Sequence, residues 1–504
     1  MFNYFVYLLY KMKKKIHIIG SGFSSLSASC YLAKAGFDVT VYEKNKTTGG
    51  RARQYKKEGF TFDIGPTWYW MPDVFEKFFN DFEKKPSDFY ELDRLDPAYQ
   101  VYFSELESII ISGKLKEIFE AFEKEEKGSS KYLKDFLDAA KFNYNTAIKD
   151  LVYRPGVSPL ELITPVTIKR INQFFSTIRT QVRKKIKSQK LIQILEFPVL
   201  FLGAKPSNTP AFYNFMNYAD FGLGTWHPKG GMYKVVEAMT ALASSLGVVF
   251  ETDANVEKIC LDEKGKTTGL IVNDVFIKSD IVVSGADYHH TETLLPTKYR
   301  QYSEKYWSKK VFAPSSLLFY VGFNKKLNDV SHHTLFFDTD FDEHARTIYD
   351  DPSWPEKPLF YASFPSITDG SLAPDGKEAA TFLIPLAPGL EDTEELRESY
   401  FNKIIDRLET LTNQEVKSNI LFKKSYCVND FIKDYNSYKG NAYGLANILT
   451  QTAFLRPKIQ SKTVKNLFFT GQLTVPGPGV PPSLISGKIV SDLIIKKHSH
   501  ESTI

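Results

Sequence analysis

Apolar positions near the start of the chain fall first in a short β-branched run, then at helical spacing, then in alternation. KIHIIG, from Lys15, predicts a strand. Phe23 to Ala35 carries Leu26, Cys30 and Ala33 on one helical face, and Gly36 follows as its cap. DVTVYEK predicts a second strand. ARQYKK and GFTFDIG alternate, and Glu58-Gly59 joins them as a hairpin. Residues 103–150 mix charge with good helix formers and predict helices. Residues 162–195 hold eight basic residues and no acidic one (Lys169, Arg170, Arg179, Arg183, Lys184, Lys185, Lys187, Lys190) and lead into LIQILEFPVLFLG. From Gly230 the pattern is helix then strand, followed by several short strands to Asp287. Residues 311–425 mix strands and helices, and NLFFTG leads through a Gly/Pro-rich turn to a last helix. There are no repeats or low-complexity linkers, so the domains are expected to interleave.

Composition narrows the class. The 504 residues carry 64 Lys+Arg against 59 Asp+Glu, net +5, which excludes a general polyanion binder such as a nucleic-acid protein and a disordered acidic chain. No apolar run reaches the roughly 18 residues of a membrane-spanning helix. Cys30, Cys260 and Cys427 lie far apart, which argues against a zinc site or disulfide framework. The histidines form no metal-binding pattern. His289–His290 and His332–His333 are adjacent pairs, which a strand would turn to opposite faces. No metal site is expected. Aromatic residues make up 14% of the chain. That fits either an aromatic-lined cavity for an apolar ligand or the codon bias of an AT-rich genome. Ten largely apolar residues precede Lys11, Met12 and Lys13–Lys15, the reverse of a secretory signal's order. Residues 1–12 are therefore expected to be a mis-called start or short extension, with a small amphipathic anchor as the alternative.

Gly20-Ser21-Gly22-Phe23-Ser24-Ser25 follows a strand and opens a helix. The first glycine permits a tight turn, and the second lets the backbone approach a pyrophosphate at the helix N-terminus. Ser25 stands at the third, close-packing position. Glu43 ends the next strand 23 residues after Gly20, where a carboxylate can accept from the ribose hydroxyls of an adenine dinucleotide. Gly49-Gly50-Arg51 adds a second glycine turn and a cation placed to meet a phosphate.

Three segments together resemble the carotenoid desaturase family, of the bacterial phytoene desaturase type, within the flavin amine oxidase-like group. They are residues 20–79, GTWHPKGGMYKVVEAM (224–239) and LFFTGQLTVPGPGVPPSLISGK (467–488). The resemblance implies an α/β fold: a Rossmann-like FAD-binding domain from 13–95, 225–300 and 415–497, interleaved with an α+β substrate and membrane-docking domain from 96–224 and 301–414. It implies that FAD contacts Gly20, Gly22, Phe23, Ser24, Ser25, Glu43, Lys44, Gly50, Arg51, Thr67 and Trp68. Val256 would hold the adenine end by its backbone, and Gly471, Gln472, Gly479, Val480 and Pro481 would lie along the ribityl chain and isoalloxazine. A Gly/Pro turn before a helix also presents free N–H groups that favour the reduced flavin anion. The chain departs from the family at Ser24 and Ser25, which replace glycines, and at His227, where an aromatic residue is usual. Gln472 stands where family members vary.

What the resemblance implies about activity is FAD-dependent desaturation of a linear carotenoid, phytoene to products such as lycopene, by hydride transfer to flavin. A hydroxycarotenoid 3,4-desaturase, a carotenoid oxidase or an isomerase on the same scaffold is the near alternative. A flavin amine oxidase is the distant one, and a non-catalytic carotenoid carrier a third class. No catalytic side chain is evident. Family analogy makes Asp150 a candidate proton acceptor, against a helix-end salt bridge with Arg154. The expected partners are a long apolar polyene, a lipid bilayer surface and a membrane electron acceptor such as quinone or O2. The expected location is cytoplasmic, against the inner face of the cell membrane. Docking is expected through 162–195, with Phe174, Phe175, Phe197 and Phe201 inserting shallowly.

Overall fold

The computed structural model describes residues 13–105, 107–149 and 151–499, so the expectations for 1–12 and Asp150 fall outside it. A five-stranded parallel sheet runs in the order Leu467–Phe469, Ile281–Ser284, Lys15–Ile19, Asp38–Tyr42, Val249–Glu251. Its inner strands are apolar on both faces. Ile16, Ile18, Val41, Ile281, Val282 and Val283 are all fully buried, as a sheet covered on both sides requires. The chain leaves Lys15–Ile19 toward one edge and returns later to its other side. That strand therefore marks the point where strand order reverses, and ligand crevices open at the carboxyl ends of strands there.

Helix Phe23–Lys34 starts at this point and is almost wholly buried against the last helix, Val480–Ser499. Small residues make that contact possible. A Cβ on Gly487 would lie 2.4 Å from the Ser24 carbonyl oxygen, and Ser27 Oγ donates to the Leu484 carbonyl at 2.8 Å.

A seven-stranded mixed sheet forms the second body. Its order is Ile420–Tyr426, Ser315–Phe323, Glu378–Leu386, Phe360–Ser363, His333–Phe336, Tyr99–Ser104, Glu107–Ile111. Ser315–Phe323 is buried along all nine residues, and helix Glu394–Thr412 covers one face through Phe401, Ile404 and Leu408. Helices between Leu115 and Gly222 pack beside it. The Glu58-Gly59 hairpin forms as expected, with both residues at positive φ (52° and 83°), the geometry of a tight two-residue turn.

Three differences from the sequence expectations stand out. The stretch expected to be helical from 103 begins instead with strand structure: Tyr99–Ser104 pairs with Glu107–Ile111, and Tyr99, Val101 and Tyr102 are buried in the cores on its two faces. Ile420–Tyr426, expected with the parallel-sheet segments, pairs with Ser315–Phe323 in the larger sheet. The basic stretch is broken into short helices, Pro165–Lys169, Asn172–Phe175, Ile178–Arg183 and Gln189–Glu196. Thr164, Thr177 and Ser188 each cap a new start by accepting from a backbone N–H.

Candidate functional site

One cavity of about 780 Å³ connects the two bodies. Every residue that the sequence assigns to the cofactor lines it except Ser25, which packs behind it. At its polar end, the Gly20 N–H donates to the Tyr42 carbonyl at 2.7 Å, extending the pairing of Lys15–Ile19 with Asp38–Tyr42 to the point where the chain turns toward the helix. Gly22 precedes the helix, and no side chain caps the helix's first N–H groups. A Cβ on Gly22 would meet no atom within 4 Å, so the glycine faces open space.

Glu43 is buried and its carboxylate is fully engaged. It accepts from the Ser21 N–H (2.9 Å) and hydroxyl (2.7 Å), and from the Asn45 N–H (2.9 Å) and amide (2.8 Å). Ser21 and Asn45 were not singled out by the sequence. Their signal was only their position beside a glycine turn and a strand end. Lys44 donates to the Lys433 carbonyl at 2.7 Å, and burial lowers its pKa.

Arg51 is enclosed. Its Nη2 donates to Ser437 Oγ at 3.2 Å, and its guanidinium lies 5.1 Å from the centre of the Tyr435 ring. Gln472, with its amide oxygen turned toward Arg51, accepts from the same Nη2 at 3.2 Å. Arg51 Nε is buried without a partner. Burial pulls the Arg51 pKa down, and the Asp287 carboxylate opposes that shift. Asp287 follows the strand Ile281–Ser284 and also escaped the sequence reading. Burial raises its own pKa, against the pull of Arg51.

The cavity's other arm is apolar. Trp68, Trp70, Phe197, Phe201, Leu335 and Phe337 line it. Trp68 lies flat on the buried His333, with ring centres 4.0 Å apart and 11° between planes. His333 Nδ1 bonds Tyr361 Oη at 2.7 Å, and Tyr361 bonds Thr67 Oγ1 at 2.8 Å. His332 and His333 do not part to opposite faces as expected. His332 precedes the strand, so the two rings lie 4.4 Å apart, with His227 4.7 Å from His332. His227 in turn bonds Asp369 at 3.1 Å. No group of three His, Cys, Asp or Glu among the described residues is arranged to hold a metal ion.

Phe174, Leu449, Phe454 and Leu455 line the cavity near a rim of exposed side chains: Val157, Leu160, Ile163, Ile171 and Phe175. Phe197 and Phe201 do not face outward as expected. Phe197 is buried and Phe201 half-buried, and both pack on Trp68 and Trp70. Nor are all the basic residues available to a surface. Arg183 pairs with the buried Glu196 at 2.9 Å, Arg179 with Asp342, and Lys190 with Glu107 and Glu125.

The polar end fits a dinucleotide. Uncapped helix N–H groups, an unpartnered buried guanidinium nitrogen and a glycine facing open space form an anion cradle beside a carboxylate. Residues 23–495 match the model of flavin containing amine oxidoreductases. The chain belongs to that family. Its cofactor is FAD, and the protein is an FAD-dependent oxidoreductase of the carotenoid desaturase group. It is 40% identical over 487 residues to a carotenoid 3,4-desaturase of Haloarcula japonica, covering 95% of this chain and 98% of that one. It is 32% identical over 493 residues to a zeta-carotene-forming phytoene desaturase of Myxococcus xanthus, covering 96% and 94%. The fold is also that of an oxidoreductase from Methanosarcina mazei, with a TM-score of 0.63 at 18% identity, covering 95% of this chain and all of that one.

Proposed function

We propose that this FAD-dependent oxidoreductase desaturates a linear carotenoid. The observation that carries the proposal is one continuous cavity, with a dinucleotide cradle at one end and an aromatic arm reaching toward an exposed apolar rim at the other. In this reaction one saturated carbon gives up a hydride, its neighbour gives up a proton, and a C=C bond forms. Bound FAD supplies the hydride acceptor. Gly20, Gly22, Phe23, Ser24 and Arg51 hold the pyrophosphate, and Glu43 orients Ser21 and Asn45 at the ribose. Lys44 and Val256 face the adenine end, and Ser25 keeps the helix close to the sheet. Gly50, Thr67, Trp68, Gly471, Gln472, Gly479, Val480 and Pro481 flank the ring. Trp68, Phe197 and Phe201 guide the polyene and exclude water. The segments 13–95, 225–300 and those after Tyr426 form the flavin part, and the remainder, including Ile420–Tyr426, the substrate part.

The substrate class favours a docked enzyme. Moving a C40 chain through water costs about 0.8 kcal/mol per exposed CH₂. No helix among the described residues is long and apolar enough to cross a membrane. The apolar rim at Val157–Phe175, with Lys184, Lys185 and Lys187 exposed beyond it, supports docking on the inner face of the cell membrane. A quinone or O2 then reoxidises the cofactor.

Co-expression with a phytoene-producing pathway and pigment extraction tests the proposal. Conjugated products are expected, and unchanged phytoene refutes a phytoene-type activity. The higher identity to a 3,4-desaturase favours a second reading, in which the substrate is already conjugated and hydroxylated. Unchanged phytoene together with a red shift of a supplied hydroxycarotenoid would establish that reading.

A further inference from the structure

Arg456 is one of the largest fully buried side chains in the protein, with 2% of its surface exposed. No carboxylate of the described residues pairs with it. Its acceptors are all neutral: the Gln472 carbonyl at 3.1 Å from Nη1, the Leu445 carbonyl at 3.0 Å from Nη2, and the Asn447 amide oxygen, also from Nη2. Nε is buried without any partner. The other cation that feels it is Lys310, which adds positive charge instead of balancing it. Burial draws the guanidinium's pKa down to about 10, which leaves it charged at neutral pH. A buried, unpaired charge is among the most unfavourable arrangements a protein carries, and such groups are normally paired.

Its location suggests what balances it. Asn447 and Gln472 line the cavity, and Arg456 stands directly behind both. It also stands behind the Gly/Pro turn. A Cβ on Gly477, whose φ is +134°, would lie 2.9 Å from Arg456 Nη2 and 2.9 Å from Asn447 Oδ1. The glycine thus lets the turn close over the guanidinium. A hydride brings two electrons and one proton to an uncharged ring and leaves it with one net negative charge.

We propose that Arg456 is the positive charge that this site holds ready for the negative charge arising on the flavin when it accepts a hydride, and that it thereby raises the cofactor's reduction potential. The proposal rests on the placement of the flavin ring along Gly471–Pro481 given above. Arg456 acts through space from behind the lining, so it is a positioning residue for charge and not a contact to substrate. The three carbonyl oxygens fix the guanidinium plane, and the remaining attraction is available to the ring.

The test is the two-electron midpoint potential of the holoprotein, measured anaerobically against a reference dye. Arg456→Gln removes the charge and keeps an amide donor. It is expected to weaken binding of reduced relative to oxidised FAD at least tenfold, a fall of about 30 mV for a two-electron couple. Arg456→Lys keeps the charge and is expected to stay within threefold of the parent. A potential unchanged in Arg456→Gln overturns the proposal. So does an equal fall in Arg456→Lys, which would point to lost hydrogen bonds in place of lost charge. The Lys variant keeps the test decisive if the Gln variant fails to fold, since a tenfold fall in it alone is enough to refute the charge argument. FAD content unaffected by both Arg51→Ala and Glu43→Ala would overturn the cofactor placement itself, and the proposal with it. Normal dependence on those residues with a flat potential overturns only the role of Arg456.

Discussion

Ser25 lies so close under Gly285 that a Cβ on the glycine would sit 2.0 Å from the serine Oγ. That hydroxyl is buried and bonds to nothing. The position therefore demands small size and not polarity. Gly285→Ala is expected to overpack the strand–helix contact by about 1–3 kcal/mol and to lower both the melting temperature and FAD content. Ser25→Gly loses no hydrogen bond. It carries only the backbone entropy of a helical glycine, about 0.5–1 kcal/mol. Thermal unfolding of the two holoproteins checks the order, and a Ser25→Gly variant as damaged as Gly285→Ala would refute it.

Glu43 and Arg51 are expected to make separable contributions to cofactor retention. Glu43→Ala strands four donors on Ser21 and Asn45. Each buried donor left unpaired costs about 1–3 kcal/mol. Glu43→Gln keeps an acceptor for one of the two residues and is expected to retain more FAD. Arg51→Ala removes the enclosed cation and is expected to lower FAD content without comparable loss of fold. Flavin absorbance per protein after gel filtration reports all three.

Membrane binding is expected to depend more on the apolar rim than on the basic stretch. Leu160, Ile171 and Phe175 are 70%, 57% and 77% exposed. Taking each out of water contributes roughly 1.5–3 kcal/mol. Lys184, Lys185 and Lys187 add about 1 kcal/mol each near an anionic leaflet, and that share is screened by salt. Serine at the three apolar positions should abolish vesicle sedimentation. Glutamine at the three lysines should weaken it and flatten its salt dependence. The reverse ranking would place docking on the basic surface.

The histidine contribution to stability should fall as pH drops below about 6.5. His344 Nδ1 accepts from the Leu359 N–H at 2.8 Å and Nε2 donates to the Pro385 carbonyl at 2.9 Å, so the neutral ring is required. Burial lowers its pKa to about 4. A base depressed in the folded state is protonated first when unfolded. Its stabilisation is thus complete above the unfolded value of about 6.5 and is lost toward pH 4, by about 2 kcal/mol at pH 5. His17 and His290, both lowered to about 4 by burial, add in the same direction. Asp63 and Asp220, raised by burial to about 6 and about 8, work against them, so the test reads the difference between the parent and a His344 variant. His344→Gln should melt lower at pH 7.5 and lose less between pH 7 and 5. A parallel curve would exclude this histidine as a source.

The polar end of the site was legible because its chemistry is local. Gly20, Gly22, Glu43 and Arg51 sit in turns and strand ends within a short stretch, and each residue type answers a steric or charge requirement there. The Glu58-Gly59 hairpin was legible for the same reason. What escaped depends on partners distant in the chain. Ile420–Tyr426 joins the larger sheet because Ser315–Phe323 offers it an edge, about a hundred residues away. The basic stretch announced its charge but not Glu196, Glu107 and Glu125, which occupy part of it. His332 shares a cluster with His333 because the strand begins one residue later than its sequence suggests. Arg456 carries no motif, and its burial follows only from the closure of the final turn.

The parallel sheet that carries the cradle joins Lys15–Ile19 to Leu467–Phe469 through Ile281–Ser284, and Val480–Ser499 covers the helix that begins at the cradle. During synthesis the fingerprint therefore emerges hundreds of residues before the strand and helix that complete its surroundings. The cofactor pocket is therefore incomplete until Leu467–Phe469 and Val480–Ser499 have been made and have packed, and firm retention of FAD has to follow that step. Loss of the last strand and helix would leave a chain that retains every glycine of the fingerprint yet cannot keep its flavin.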